Sequence, residues 1–324
     1  MIILNLISIS VIMIGVCLVT YNQEQYITEA IESVLAQKNC PYPIKLYIGN
    51  DASRDNTGEI CQKYAEQYSD RIVLINQKNN LGLVGNTLSV LTRIQEDRCK
   101  YVAMLDGDDY WCDPEKLSKQ VSFLDDHPDY GFVHTRICLL TDNGLEYSSS
   151  PVPPVGDVFD KMGSFPIGGS SAFFRCSLLD VIDFEAFSKQ GFLSLDYVMY
   201  AIFSAHTRFG FVEDCTTVWR RNISSVSNPK SMEKQIAYLE NDRAMWRYLG
   251  ELFPQRFYYD ETVWEEYYNY KVFQIAFQFG DYSLAHRMCS SVKGNRGMRF
   301  QIKRICASNK LSFNMWRFFK RLFD

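Results

Sequence analysis

Three carboxylates within four residues follow an apolar run, and this stretch has the clearest chemical potential in the sequence. Residues 101–105 read Tyr-Val-Ala-Met-Leu, and Asp106, Asp108 and Asp109 follow them. Five consecutive apolar residues are typical of a strand buried on both faces of a parallel sheet. Carboxylates crowded at its end repel one another unless a cation neutralises them, and Mg²⁺ or Mn²⁺ suits such oxygen ligands. For an isolated Asp-x-Asp, an acidic turn that caps the next helix is the commoner explanation.

The residues before this stretch alternate between strand and helix patterns. The sequence predicts strands at 14–20, 44–48, 71–76 and 101–105, with helices between them that end near 38, 68 and 95. This alternation predicts an α/β fold with a parallel sheet and helices on its faces. Three of these strands end in polar clusters, which are Thr20, Tyr21 and Asn22, then Asn50 and Asp51, then Asp106, Asp108 and Asp109. Because parallel strands end at one edge of a sheet, the clusters should form a polar rim at a nucleotide crevice.

Composition describes a packed globular chain. Of its 324 residues, 47% are hydrophobic and 22% are charged, which excludes intrinsic disorder. The net charge of −4 gives no basis for a nucleic-acid partner. We predict a catalytic domain over residues 13–230 and a helical region with a basic tail over residues 231–324. The ten cysteines include no Cys-x-x-Cys pair, and they predict reduced thiols in a cytoplasmic protein.

The first 23 residues carry no charge and could be a signal peptide or a membrane helix. No Lys or Arg precedes the apolar run, and Asn5, Ser8 and Gly15 interrupt it. Residues 14–20 also have the pattern of the first strand, and one segment cannot lie both in a bilayer and in a sheet. We therefore expect neither a signal peptide nor a membrane helix, and residues 1–10 would be an extension.

Four ordered motifs resemble those of family 2 glycosyltransferases with the GT-A fold. They are CLVTYNQEQYI, IGNDASRDNTGEI, NNLGLVGN and MLDGDDYWCDPEKLSKQ, and the resemblance spans residues 13–230. Neither GxxxxGK[ST] nor GxGxxG is present to bind phosphate. The resemblance implies a Rossmann-like, mixed but mainly parallel sheet flanked by helices. It also implies inverting transfer of a sugar from a nucleotide-diphosphate donor, with Mg²⁺ or Mn²⁺ as the cofactor.

The same resemblance assigns donor-binding residues. Asp51 would contact the base, Asp106 the ribose side, and Asp108 the metal that bridges the diphosphate. Further donor contacts are implied for Thr20, Tyr21, Asn22, Asn80, Gly82 and Arg220. Departures from the family pattern are Asn50 for an acid, Ala52 for Gly, Trp219 for Tyr and Asn222 for His. One carboxylate of the usual pair remains at Asp51, so recognition of uracil is still expected.

A second group of residues is expected on the acceptor side. Gly169, Ser170 and Ser171 resemble the floor of the acceptor site, where small residues let a sugar approach the backbone. Inversion also needs a base across the pocket from the metal carboxylates. Among the acids between residues 170 and 222, only Asp196 combines an apolar flank with a helix start, where the helix dipole would keep it ionised. In family 2 enzymes a carboxylate at the start of such a helix is the base.

Two alternatives belong to other classes of protein. Gly168-x-Ser170-x-Ala172 is close to the nucleophile elbow of α/β-hydrolases, and Asp196 and His206 follow in the order of a hydrolase triad. Against this hypothesis, no buried strand precedes Ser170, and the two triad partners share one predicted helix. The other alternative is a catalytically silent module that only binds a nucleotide-sugar. Loss of the metal carboxylates would favour this alternative, but the sequence contains these carboxylates.

The basic tail is the last feature. Residues 310–323 alternate apolar and basic side chains, which is typical of a helix at a membrane surface, although a helix docked on the protein is equally expected. We therefore predict a cytoplasmic enzyme, peripheral at the inner face of the cell membrane. It would add sugars to a glycan or a lipid-linked glycan during surface polysaccharide synthesis. The sugar, the linkage and the oligomeric state do not follow from the sequence.

Overall fold

A computed structural model of the protein describes residues 12–141, 144–147, 151–164, 167–220, 231–292 and 298–323. The expected N-terminal extension, as well as Arg221 and Asn222, lies outside these described residues. The chain forms two compact units, Met1–Asn222 and Ile223–Asp324. We describe each unit separately.

A mixed sheet forms the core of the first unit. Its described strands are β1 (Ile14–Thr20), β2 (Ile44–Asn50), β3 (Ile72–Asn76), β4 (Tyr101–Asp106), β5 (Tyr110–Trp111), β6 (Tyr130–Thr141), β7 (Gly144–Tyr147), β8 (Phe173–Arg175) and β9 (Arg208–Arg220). Their order is β3-β2-β1-β4-β8-β6-β9-β5, and β7 pairs with β6. Strands β1 to β4 are parallel, whereas β8 lies antiparallel between β4 and β6. The predicted mixed α/β fold is confirmed.

Helices cover the faces of this sheet. They are α1 (Ile27–Leu35), α2 (Thr57–Gln67), α3 (Gly82–Glu96), α4 (Lys116–Asp126), α5 (Phe184–Lys189) and α6 (Asp196–His206). In α1 the buried residues Ile27, Ala30, Ile31 and Val34 recur at helical spacing, so one face packs on the sheet. All seven residues of β1 are buried. Each large apolar side chain buried in this way contributes about 1.5–3 kcal/mol to stability.

Two elements are longer than the sequence pattern indicated. The sequence pattern predicts a helix from about residue 86 to residue 95, whereas helix α3 begins at Gly82. The pattern also predicts a short strand at residues 209–212, but β9 continues to Arg220, because it pairs along β6 and then with β5. Glu213 and Asp214 therefore lie within a strand, where both are exposed.

The expectation that all ten cysteines are reduced is wrong for one pair. Cys138 in β6 and Cys215 in β9 form a disulfide, with Cα atoms 6.3 Å apart. The two residues are 77 positions apart, and only the pairing of these strands brings them together. The other eight cysteines are free. The cysteines alone therefore no longer indicate the cellular compartment.

The described part of the second unit is helical. Its helices are α7 (Met232–Leu252), α8 (Glu261–Phe279), α9 (Tyr282–Ser291), α10 (Met298–Ala307) and α11 (Lys310–Phe323). Phe313 of the tail helix is fully buried, with ring centroids 4.6 Å from Phe277 and 5.6 Å from Tyr282. Leu311 and Met315 are 70% and 51% exposed. Among the described residues, no helix has the length and apolarity needed to cross a membrane.

Candidate active site

The ends of β1 and β2 meet at one edge of the sheet, as their parallel order requires. The backbone N–H of Asp51 donates to the carbonyl of Thr20 at 3.0 Å. The buried carboxylate of Asp51 accepts the N–H of Leu81 through Oδ1 at 2.6 Å. Asn80 donates to the carbonyl of Asp51, and its own side-chain oxygen accepts the N–H of Gly82. Four predicted donor residues, Thr20, Asp51, Asn80 and Gly82, are therefore neighbours.

The loop after β1 is tied to the loop after β2. Asn22 has a left-handed backbone with φ of 52°, and its N–H donates to Oγ of Ser53 at 3.0 Å. Its side-chain oxygen accepts the N–H of Arg54 at 2.8 Å. Tyr21, beside it, is 39% exposed. Ala52, at a position where the family pattern has Gly, also adopts a left-handed φ of 56°, a region that favours Gly.

The acidic turn after β4, residues 106–109, lies directly over the end of β1. The N–H of Gly107 donates to the carbonyl of Val19 at 2.9 Å. A Cβ at residue 107 would lie 2.8 Å from Oγ1 of Thr20, so only Gly fits here. This contact joins the acidic turn to the edge that carries Thr20 and Asp51.

Arg220, at the end of β9, holds the acidic turn from the other side. Its N–H donates to Oδ1 of Asp109 at 3.1 Å, and its Nη1 donates to the carbonyl of Asp108 at 2.7 Å. Its guanidinium pairs with Glu29 and lies over the rings of Tyr26 and Tyr110. Arg220 is buried, which excludes the simplest interpretation of this arginine as part of a solvated loop. Its predicted contact with the diphosphate stays a prediction.

The predicted acceptor-side residues form a short 3-10 turn, Gly169–Ser171, that contacts the same carboxylates. Ser170 accepts the N–H of Asp106 at 3.1 Å and donates its hydroxyl to Oδ2 of Asp109 at 2.7 Å. Both oxygens of Asp109 therefore accept hydrogen bonds from the protein. Ser171 is fully buried, and its hydroxyl donates to the carbonyl of Gly168 at 2.7 Å.

Gly169 marks the place where two carboxylates from distant parts of the chain meet. A Cβ on Gly169 would clash with the carboxylate of Asp196 and lie 3.7 Å from Oδ2 of Asp106. Asp196 is the first residue of α6, as predicted. The carboxylate of Asp196 therefore fills the space that a side chain at residue 169 would need, and only Gly lets the two acids come this close to the turn.

Burial and mutual repulsion dominate the electrostatics of these acids. Burial raises the pKa of Asp106 well above its usual value, and the charges of Asp196, Asp109 and Asp108 raise it further. Burial raises the pKa of Asp196 to about 6. Burial and the charge of Asp108 raise the pKa of Asp109 to about 7, although hydrogen bonds from Ser170 and Arg220 oppose the shift. Desolvation thus opposes the helix dipole that was expected to favour the charge of Asp196, although a pKa of about 6 still leaves this carboxyl mostly ionised at neutral pH.

The stability of the metal-free protein should reveal the buried charge of Asp196. Its pKa is about 6 when folded and about 3.9 when unfolded, so ionisation above pH 6 opposes folding and protonation below about pH 4 removes the penalty. Asp196→Asn should therefore raise the free energy of unfolding by about 2 kcal/mol near pH 8, and the gain should vanish near pH 4. Urea unfolding at several pH values measures this.

The matched control for this stability measurement is Asp183→Asn. Asp183 caps α5, where its side chain accepts the N–H of Ala186 at 2.9 Å. Asn caps helices about as well as Asp, so this control should show no pH-dependent gain. Equal stability of Asp196→Asn and wild type near pH 8 would contradict the assignment of a buried charge to Asp196.

The acidic turn has the right donor chemistry for a hard divalent cation, although the described residues hold no group of three or more His, Cys, Asp or Glu arranged for a metal. Such cations often take one or two protein carboxylates and complete their shells with phosphate oxygens and water. Asp109 is engaged on both oxygens by Ser170 and Arg220, whereas Asp108 is partly exposed. Burial and mutual repulsion raise the pKa values of Asp106 and Asp109, and a positive charge beside them would relieve this repulsion.

The geometry is incompatible with the hydrolase alternative. Asp196 and His206 begin and end the same 11-residue helix, so their backbones are about 15 Å apart. A hydrolase triad needs its Asp and His in hydrogen-bonding contact. Ser170 lies in a 3-10 turn rather than between a strand and a helix, and its hydroxyl donates to Asp109.

Several residues that shape this site were not identified from the sequence pattern. Glu29 pairs with Arg220, and Trp111, Lys116 and Gln120 support the Gly169–Ser171 turn from below. The last three lie in or next to the segment WCDPEKLSKQ, which helped to carry the family resemblance. Their positions in that motif could have marked them as important. Their role, however, follows only from their contacts with the carbonyls of Ser170 and Ser171.

A comparison with protein families identifies the chain. Residues 15–182, just over half of it, match the model described as glycosyl transferase family 2. The chain belongs to this family. The matched region of this family 2 glycosyltransferase includes the acidic turn and Gly169–Ser171, whereas Asp196 and Arg220 lie beyond it.

Curated relatives of this family 2 member include two proteins of Bacillus subtilis strain 168. The putative glycosyltransferase EpsE is 37% identical over 132 residues, which cover 41% of this chain and 45% of EpsE. The putative teichuronic acid biosynthesis glycosyltransferase TuaG is 34% identical over 112 residues, which cover 35% of this chain and 42% of TuaG. The chain thus spans less than half the length of either relative.

A solved structure supports the fold of this family 2 member. Residues 1–349 of Staphylococcus aureus TarS, in complex with UDP-GlcNAc, align with a TM-score of 0.54 and 17% identity. The alignment covers 91% of this chain and 79% of that chain. At this identity the likeness establishes the shared fold alone.

Proposed function

We propose that the protein is an inverting, metal-dependent glycosyltransferase. It moves a sugar from a nucleotide-diphosphate donor, a UDP-sugar by preference, to a hydroxyl group of a glycan or lipid-linked glycan. The observation that carries the proposal is the meeting of Asp106 and Asp196 beside Gly169, next to the acidic turn that contains Asp108. A donor-side carboxylate and a candidate base, from distant parts of the chain, thus lie together at the backbone of Gly169.

The proposed reaction assigns each group one role. Asp108 would hold Mg²⁺ or Mn²⁺, which when bound would neutralise the diphosphate and stabilise the departing nucleotide. Asp196 accepts the proton of the acceptor hydroxyl while that oxygen forms its bond to the anomeric carbon. The bond from this carbon to the diphosphate breaks on the opposite face, and the configuration inverts. With a pKa raised to about 6, Asp196 is mostly ionised at neutral pH and remains basic enough to act.

Asp51 is the proposed contact for the base of the nucleotide. One of its oxygens already accepts the N–H of Leu81 at 2.6 Å, but a carboxylate has about four acceptor sites and can take another donor. The imide N–H of uracil is such a donor. Asn50 donates its side-chain N–H to Asn76 at 2.9 Å, so it serves the packing of β2 and β3. The UDP-GlcNAc in the TarS structure supports a uridine donor as the first to test.

The proposed acceptor rests on the name of one relative and on the geometry at Gly169. The name of TuaG includes teichuronic acid biosynthesis, which supports a role in making surface polysaccharide. Acceptor hydroxyls would approach Asp196 along the backbone of Gly169, where a side chain would collide with this carboxylate. The catalytically silent module remains the alternative, and the test of the function must distinguish it.

Nucleotide release from a panel of UDP-, GDP- and dTDP-sugars, with and without Mn²⁺, tests the proposed function. Slow hydrolysis of one donor, dependent on the cation, is the expected result, because water can replace the missing acceptor. Binding of a donor without any release over hours, with or without candidate acceptors, would instead identify a silent binding module. Addition of short oligosaccharides and lipid-linked sugars then identifies the acceptor through faster release.

We also propose that the enzyme is cytoplasmic and rests on the inner face of the cell membrane through α11. The exposed Leu311 and Met315, together with nearby Lys and Arg residues, support this proposal. Each Lys or Arg near anionic lipid contributes about 1 kcal/mol. Phe313, however, is buried against Phe277 and Tyr282, so part of the helix serves the second unit.

Liposome co-sedimentation tests the role of the tail. The full chain should bind vesicles that contain anionic lipid more strongly than neutral vesicles, and Leu311→Gln/Met315→Gln should weaken binding without exposing Phe313. Phe313 is excluded from the substitution because its loss would disturb the buried cluster. Equal sedimentation of this double variant and wild type with anionic vesicles would remove the membrane from the proposal.

A further inference from the structure

Lys116 is a buried lysine that forms no salt bridge with the acids among the described residues, although the charge of Asp113 acts on it from further away. It begins α4 and is fully buried. Its Nζ donates to Oε1 of Gln120 at 2.5 Å and to the carbonyl of Ser171 at 3.4 Å, and it lies 4.7 Å from the centre of the Trp111 ring. Burial lowers the pKa of Lys116 to about 7. Lysine is almost never fully buried without a reason in packing or function.

The neighbours of Lys116 converge on the same two carbonyl groups. Gln120 donates to the carbonyl of Ser171 at 2.9 Å, and the indole N–H of Trp111 donates to the carbonyl of Ser170 at 3.0 Å. Thr217 of β9 also donates to the carbonyl of Ser170, at 3.3 Å. Four side chains thus supply hydrogen-bond donors from beneath the Gly169–Ser171 turn.

The opposite side of this turn forms the candidate active site. Gly169 touches Asp196 and lies near Asp106, and Ser170 bonds with Asp106 and Asp109. We propose that Lys116 is a positioning residue, which with Gln120 and Trp111 holds the carbonyls of Ser170 and Ser171 so that Gly169 stays between the two carboxylates. Its effect on transfer rests on the proposed function, whereas its effect on the turn does not.

Energetics favour positioning over stability as the reason for a buried ammonium. Taking a charge out of water costs free energy, and the lowered pKa of Lys116 reflects this cost, so the buried amine does not by itself stabilise the fold. A Met at residue 116 would fill nearly the same space without a charge. The lysine therefore gives the fold little that Met could not, while it gives the Ser171 carbonyl a donor that Met lacks.

Hydrogen–deuterium exchange tests the positioning without any substrate. The N–H groups of Ser171 and Ala172 bond within the turn, to the carbonyls of Gly168 and Gly169. In Lys116→Met these amides should exchange about tenfold faster or more, because local opening becomes easier, while β1 and β4 keep wild-type protection. Lys116→Gln keeps a shorter N–H donor and should recover part of the protection. If Lys116→Met does not fold, exchange in Lys116→Gln is compared with wild type instead. Faster exchange at residues 171 and 172, with unchanged protection of β1 and β4, would then support the proposal.

Lys119→Met is the matched control. Lys119 lies on the same helix, but it pairs at the surface with Asp113 and Asp214, at 2.8 and 2.7 Å. Exchange at residues 171 and 172 should not change in this variant. Unchanged exchange there in folded Lys116→Met would overturn the proposal, and so would a uniform increase over the whole unit, which would mark a general structural role.

Turnover gives the second measurement. Lys116→Met should lower kcat about tenfold or more with little change in donor affinity, since a misplaced floor affects the reacting geometry more than nucleotide binding. Equal loss of donor affinity and kcat would contradict positioning. An inactive wild type would refute the proposed function alone, because the exchange result would still decide whether Lys116 holds the turn.

Discussion

Asp108→Asn is expected to abolish the cation-dependent part of nucleotide-sugar binding and to lower turnover by at least about 100-fold. Asp108 is the partly exposed carboxylate of the acidic turn, and removal of its charge takes away the proposed protein ligand of the cation. Calorimetric titration of UDP into the protein, with and without Mn²⁺, measures the effect. Wild type should bind more tightly with Mn²⁺, whereas the variant should bind equally weakly in both conditions.

Asp109→Asn is the informative comparison for Asp108. Both oxygens of Asp109 accept hydrogen bonds, from Ser170 and from Arg220, and its side chain is buried. We expect this variant to keep the cation dependence of UDP binding. The carboxylate of Asp109 accepts hydrogen bonds from Ser170 and Arg220, so its role is to connect the acidic turn to these two residues rather than to bind the cation. If Asp109→Asn loses the dependence and Asp108→Asn keeps it, the metal assignment must move to Asp109.

Asp196→Asn is expected to lower turnover by about 100-fold or more while donor affinity stays nearly unchanged. Asn at this position fits the same space beside Gly169 but cannot accept the proton of the acceptor hydroxyl. Release assays under saturating donor give kcat, and UDP titration gives the affinity. In wild type, turnover should fall as the pH is lowered and Asp196 becomes protonated, and this loss should be absent in the residual turnover of Asp196→Asn.

Glu213→Gln serves as the control for Asp196. Glu213 and Asp214 are the other acids near the end of this domain, and each pairs with a basic side chain on the surface, Arg136 at 3.1 Å and Lys119 at 2.7 Å. Turnover of Glu213→Gln should equal that of wild type. Full turnover in Asp196→Asn would exclude Asp196 as the base, and a parallel loss of donor affinity would make it a donor-site residue instead.

Local sequence patterns were sufficient to predict the parallel strands β1 to β4, whose ends carry the predicted donor-binding residues. The run Ile14–Thr20 forms β1 with the predicted bounds, and Tyr101–Asp106 forms β4 beside it. Both strands are apolar up to their last residues because they are buried on both faces, and such strands pair in parallel when helices separate them. Their polar ends then reach one edge without further information, which is why Thr20, Asp51 and the acidic turn could be grouped from the sequence.

The positions of the acceptor-side residues and of Arg220 depended on long-range contacts that no local sequence pattern specifies. Strand β8 runs antiparallel to β4, and this pairing brings Ser170 against Asp106, 64 residues away. The return of β9 brings Arg220 to Asp109, 111 residues away, and places Cys215 beside Cys138. These positions follow from strand order in the finished sheet.

Thus the sequence by itself determined the fold class, the family and the residue types available for catalysis, because periodic burial and short motifs act over a few residues. Only the tertiary structure decided their ionisation and their neighbours. Asp196 illustrates the difference: its helix start was readable from the sequence and predicted a stabilised charge. Packing against Gly169 and near Asp106 instead removes water from it and raises its pKa to about 6. Desolvation depends on every element that covers a side chain, so it exists only once the whole domain has folded.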